Sequence, residues 1–169
     1  MSLVKIVIRY SKGKPWDYDI INPGFNYRLD EIRASLGINQ LKRINSLNSK
    51  RFLASKYYSK QLEEISGIIT PEIFRKKEHT YHLYIIRIKN EFGQNRDEVF
   101  KELKKVGIQV SLHYKPLHRF SAYKHLTKTY GRLDNSEQIY KESLSLPLYP
   151  SISKKQQDLV INNIKNYKV

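Results

Sequence analysis

The chain has 169 residues and carries 31 Lys+Arg against 16 Asp+Glu, a formal net charge of +15. That length suits one domain with a core of its own, and the 40% hydrophobic and 12% aromatic content favours a globular fold over disorder. With no cysteine, disulfides and thiolate metal sites are excluded, and no apolar run approaches the roughly 20 residues that cross a bilayer. The first residues lack a signal-peptide pattern, so a cytoplasmic location is expected. The positive field favours anionic partners such as nucleic acid, acidic membranes or phosphorylated small molecules. The basic residues are spread along the chain, however, and read first as a solvated lysine-rich surface.

In chain order, residues 4–9 alternate apolar and basic and predict a short strand. Residues 11–23 hold Gly13, Pro15 and Pro23 and read as loop. Asp30 is a candidate N-cap. A long helical pattern follows, with Leu41, Ile44, Leu47, Ala54, Tyr58, Leu62 and Ile65 on one stripe interrupted by Arg51. Gly37 predicts a break between a short and a long helix, and Gly67 suits the residue past the helical segment. Residues 80–88 predict a strand. Asn95 predicts a helix with the apolar face Val99, Phe100, Leu103 and Val106, closed by Gly107. Ile108, Val110 and Leu112 predict another strand, and a strand-helix-strand unit of this length favours a parallel or mixed sheet. One helix is predicted after Asn135, with Ile139, Tyr140 and Leu144. The last is predicted after Ser153, capped with Gln156 and burying Leu159, Val160 and Ile164. The fold class is α+β: a small mixed sheet covered by helices, with a long helix after an N-terminal loop.

Two segments carry candidate chemistry. In the run Gly24-Phe25-Asn26-Tyr27-Arg28-Leu29-Asp30, an amide and a guanidinium stand at alternate positions before a helix. Phosphate is bound by convergent donors of that kind, with helix-start amides adding to them. Taken alone, the run reads first as ordinary loop-to-helix punctuation, with Asn26 capping its own turn. The block His113-Tyr114-Lys115-Pro116-Leu117-His118 gathers imidazole and phenol donors around a proline that restricts the backbone. It also reads as a strand end with a Pro turn and two surface histidines. Two histidines so spaced are not a helical metal pair, and no metal site is expected. His79 and His82 read as structural, beside a strand.

These runs resemble those of the DegT/DnrJ/StrS family of pyridoxal-phosphate (PLP) enzymes, which aminate nucleotide-linked keto sugars. The signature is Gly24 to Gly37. The His113–His118 block resembles the family's substrate loop, and Leu144-Ser145-Leu146-Pro147 its segment before the last helix. The similarity runs from about Trp16 to the C-terminus. It implies the C-terminal small domain of a fold type I aminotransferase. Residues 1–28 would form an N-terminal segment and dimer-crossing loop, 29–66 a helical segment, and 67–169 the α/β small-domain core. It further implies that Asn26, aided by Arg28, binds the cofactor phosphate held by a neighbouring subunit, and that His113, Tyr114 and His118 face the nucleotide sugar. The Schiff-base lysine and the large PLP-binding domain belong upstream of this sequence in the family. No catalytic residue is therefore assigned here, and the isolated chain is expected to be inactive. The expected partners are a second copy or a separately encoded PLP-binding half, and a nucleotide sugar; no membrane is expected. A non-catalytic interaction module and, last, a basic nucleic-acid binder are the rival readings.

Overall fold

Asp30 starts the longest element of the chain. Its carboxylate accepts the amide of Arg33 at 2.9 Å, as an N-cap does, and helix α1 follows over Glu31–Leu62. The break expected at Gly37 is absent. A lone glycine costs a helix about 1 kcal/mol, too little to stop one of 32 residues. The structure is a computed structural model and describes residues 8–11, 14–20, 27–72, 79–123 and 132–168. It divides inside α1 into two compact units, Met1–Lys42 and Arg43–Val169.

In the first unit, β1 (Ile8–Ser11) and β2 (Lys14–Ile20) form an antiparallel pair, with Ile8 opposite Ile20 and Tyr10 opposite Tyr18. The loop expected over 11–23 is thus largely a strand. The alternation Trp16-Asp17-Tyr18-Asp19-Ile20 carried the strand period. Pro15 misdirected the reading; proline is tolerated where a strand is an edge, and both strands of a two-stranded ribbon are edges.

In the second unit, a three-stranded sheet has the order β3 (Ile68–Ile69), β4 (Tyr84–Ile88), β5 (Ser143–Leu146). Both of its ladders are antiparallel. The α+β architecture with a small sheet is as expected, but the parallel pairing is not. Residues 108–112 make a single antiparallel bridge, Ser111 to Ser145, in place of a strand, although Ile108 and Val110 are buried. Strand β4 starts later than residue 80 because Tyr81 has φ 46, outside the extended region.

Helix α2 (Arg96–Lys105) begins with a full capping box. Asn95 Oδ1 accepts the amides of Asp97 and Glu98, and Glu98 Oε2 accepts the Asn95 amide at 2.7 Å. Val99 and Leu103 enter the core, whereas Val106, past the helix end, is exposed. Helix α3 (Asp134–Glu142) stops before Leu144, which is a buried residue of β5 and not of the helix as expected. Helix α4 (Lys154–Asn166) carries the second capping box, Ser153 with Gln156. It buries Val160, Ile161 and Ile164; Leu159 points out. Helix α2 packs on α4 and β5, and α3 on β4.

The apolar stripe of α1 is covered only in its last part. Ala54, Tyr58 and Leu62 are buried, and so is Ile65 beyond the helix, while Leu41 and Ile44 are exposed. Periodicity defines a stripe without saying what covers it. Tyr58 stacks on Tyr84 with ring centroids 5.2 Å apart. The Tyr58 hydroxyl donates to the Pro147 carbonyl at 3.2 Å, and that of Tyr84 pairs with Ser59 Oγ at 2.9 Å. Burial, before any other cause, pushes both phenols well above their ordinary pKa. The unfolded chain releases these protons near the ordinary value of about 10, and the folded chain does not. Above that pH the unfolded state binds fewer protons, so stability falls as pH rises. The expected slope is about 1.4 kcal/mol per pH unit for each phenol. Urea unfolding at stepped pH from neutral into the alkaline range checks it, with Tyr58→Phe removing half of the added slope.

Candidate functional site

The loop that leaves Ser111 runs along one side of an open cleft of about 640 Å³, and α3 forms the other. Leu112, His113, Tyr114, Lys115, Pro116 and Leu117 line it from the loop, Ser136, Ile139 and Tyr140 from α3. Arg96 and Ser143 complete the lining. Its lining, drawn from the described residues, holds two fixed cations, Arg96 and Lys115, and no carboxylate.

His113 is half-buried, and its Nδ1 shares a 2.8 Å hydrogen bond with Ser145 Oγ. Its ring meets that of Tyr114 edge-on at 4.7 Å. Strand β5 thus seats the histidine directly. Tyr114 is 73% exposed, so its phenol is available to a ligand. His118 does not line the cleft. It donates from Nε2 to Glu137 Oε1 at 2.5 Å, fastening the loop to α3. Arg119 joins the same carboxylate, with Nε donating to Oε1 at 2.9 Å and a further nitrogen on Oε2. These bonds, Arg119's first and His118's next, hold the Glu137 carboxyl down to about 2. The sequence block therefore divides: two residues face the cleft and one braces it.

Arg96 and Tyr140 were not foreseen. Arg96 is 6% exposed. It donates to the Ser143 carbonyl at 3.0 Å, pairs with Asp97 at 2.6 Å, and lies over the Tyr140 ring at 5.2 Å. Arg119 lies over the same ring at 5.1 Å. Guanidiniums favour such seats because the aromatic face is negative. Nothing local in sequence joins Arg96 to Tyr140; only the packing of the folded unit brings them together.

Near the start of α1, Arg28 is exposed. Asn26, the other expected phosphate donor, lies outside the described residues. His79 is structural, its Nδ1 accepting the Tyr81 amide at 2.9 Å. Among the described residues no cluster of His, Asp or Glu could hold a metal, and no helix is long and apolar enough to cross a membrane.

This architecture is that of sugar aminotransferases. A putative sugar aminotransferase from Streptococcus pneumoniae, Spr1654 in its PMP form, matches with a TM-score of 0.78 at 30% identity, over 91% of this chain and 39% of that one. Helicobacter pylori PseC, an aminotransferase involved in the biosynthesis of pseudoaminic acid, shares the fold with a TM-score of 0.82 at 24% identity, over 95% and 43%. Residues 6–165 match the DegT/DnrJ/EryC1/StrS aminotransferase family, and the chain belongs to it. Among its relatives is the Campylobacter jejuni UDP-4-amino-4,6-dideoxy-N-acetyl-beta-L-altrosamine transaminase, 38% identical over 88% of this chain and 39% of the relative. The chain spans about two fifths of the curated relatives it matches.

Proposed function

We propose that the chain is the small-domain part of a PLP-dependent aminotransferase that moves an amino group from an amino acid, with glutamate the expected donor, to a nucleotide-linked keto sugar. The observation that carries this reading is the cleft. Lys115 on its wall and the lack of carboxylates in its lining suit a phosphorylated ligand, while His113 and Tyr114 offer neutral donors to hydroxyls. Family membership supplies the reaction class.

When bound, PLP supplies the electron sink through which an amino group and a carbonyl are exchanged. Residues just before α1 are assigned to one end of that group. Arg28 offers a charge-assisted donor for the phosphate. The Asp30 carboxylate already takes the Arg33 amide at 2.9 Å and lies 3.3 Å from its guanidinium. An anion there would meet a negative neighbour, so it needs Arg28 and the expected help of Asn26. In this reading Asn26 and Arg28 hold the phosphate of a neighbouring subunit's cofactor. His113 and Tyr114 orient the sugar nucleotide, and His118 holds their loop. The proton transfers of the reaction are left to the remainder of the enzyme, and the chain alone is inactive.

Incubating the purified chain with glutamate, PLP and a UDP-linked 4-keto sugar should yield no 2-oxoglutarate above a protein-free blank. Adding a separately produced PLP-binding half should restore turnover, and His113→Ala should lower that by about tenfold or more, as loss of a substrate-orienting group does. Turnover by the chain alone would refute its inactivity. A complemented enzyme indifferent to His113→Ala would refute the role given to the cleft.

One observation favours an interaction surface as an added role. Tyr27, Leu29, Ile32, Leu36 and Leu41 are all exposed near the start of α1. Large apolar side chains gathered in this way mark contact surfaces. A partner half or a second copy would cover them.

A further inference from the structure

Glu137 is the one α3 residue among the described residues that takes both of the loop's anchors, His118 and Arg119. Its Oε1 accepts from His118 at 2.5 Å and from Arg119 at 2.9 Å, and its Oε2 meets Arg119 again. The other α3 carboxylates are engaged elsewhere: Asp134 pairs with Arg132, and Glu142 with Arg87 and Lys89. The donors follow directly on the loop residues that wall the cleft, while Ile139 and Tyr140 of the opposite wall lie within one turn of Glu137. Arg119 extends over Tyr140, so the same contact bears on both walls.

An isolated pair on an open surface would have little effect, since solvent screens it and side-chain entropy opposes it. Glu137 differs in two ways. Its side chain is 26% exposed, and both of its oxygens are engaged, one of them twice. Charge-assisted forks of this kind fix geometry as well as energy. We propose that Glu137 is a positioning residue: by gripping His118 and Arg119 it holds the loop against α3 and sets the width of the cleft that receives the ligand. For the identity of that ligand, the inference rests on the function proposed above.

The test uses the full chain, labelled with nitrogen-15, as wild type, Glu137→Gln, Glu137→Asp and the control Glu142→Gln. One readout is the order of the backbone amides of Tyr114, Lys115 and residues 117–119 without ligand. The other is the Kd for UDP-N-acetylglucosamine, followed on the amides of Tyr114 and Tyr140. Glu137→Gln should loosen the loop and raise Kd about tenfold, the size of one lost charge-assisted contact. Glu137→Asp should recover most of both, and Glu142→Gln should leave both as in wild type. Thermal unfolding within a few degrees of wild type shows that each variant folds. The proposal is overturned if Glu137→Gln keeps loop order or affinity, or if Glu142→Gln matches it. If the wild type fails to bind the probe while Glu137→Gln still loosens the loop, the positioning stands and the ligand reading fails. If all forms bind alike with an ordered loop, the reverse holds.

Discussion

Replacing Gly67 by alanine should destabilise the second unit by about 3 kcal/mol or more. Gly67 has φ 81, in the left-handed region that side chains rarely adopt. A Cβ there would stand 2.2 Å from the Phe92 backbone nitrogen and 2.7 Å from the Glu91 carbonyl carbon. Neither side of that contact is free to withdraw. The Gly67 carbonyl accepts the Lys89 amide at 2.8 Å, and Phe92 donates to the Lys89 carbonyl at 3.1 Å. Phe92 itself is fully buried. Gly107 is the natural contrast: its φ is 80, yet a Cβ there meets nothing within 4 Å. Alanine at Gly107 therefore carries only the backbone term, of order 1–2 kcal/mol. Urea denaturation of the two variants separates the steric part from the conformational part. A loss below about 1 kcal/mol at Gly67 would mean that the two turns slide apart at little cost.

Tyr84→Ala should cost about 3–5 kcal/mol, the range for emptying the site of a large buried aromatic. Tyr84 is fully buried, lies on the central strand β4, and stacks on Tyr58. Its loss also removes the partner that Ser59 Oγ finds at 2.9 Å. An orphaned buried hydroxyl costs more than the bond itself contributed. Tyr84→Phe isolates that contribution, because it keeps the stacked ring and removes only the hydroxyl; about 1 kcal/mol is expected. If Tyr84→Phe proved as costly as Tyr84→Ala, the hydroxyl rather than the ring would be the principal support. Calorimetry on both variants decides.

The parts of this molecule legible in the sequence were those written locally. Asn95 with Glu98, and Ser153 with Gln156, announced two helix starts because a capping box needs only four consecutive residues. The His113–His118 block was legible as a candidate because its donors stand close together along the chain. Its inner division was not, because Glu137 and Ser145, which fix His118 and His113, come from later elements. Arg96 carries no local mark of a role, and only the fold brings it over the Tyr140 ring. The hairpin was hidden by Pro15, and the antiparallel order of the sheet by a helix of crossover length between residues that do not all become strands. Leu41 and Ile44 were read onto the apolar stripe because their spacing fits, and they are exposed because spacing is silent about cover.

Strand β5 has a consequence for the cleft. All four of its residues are buried, yet they serve two purposes. Leu144 and Leu146 belong to the hydrophobic core, while the Ser143 carbonyl anchors Arg96 and the Ser145 hydroxyl anchors His113. Backbone in such a setting opens to solvent only when the whole cooperative unit melts. Two of the residues that line the cleft are thus moored to a wholly buried strand, and whatever play the cleft has must come from lining residues without such a mooring.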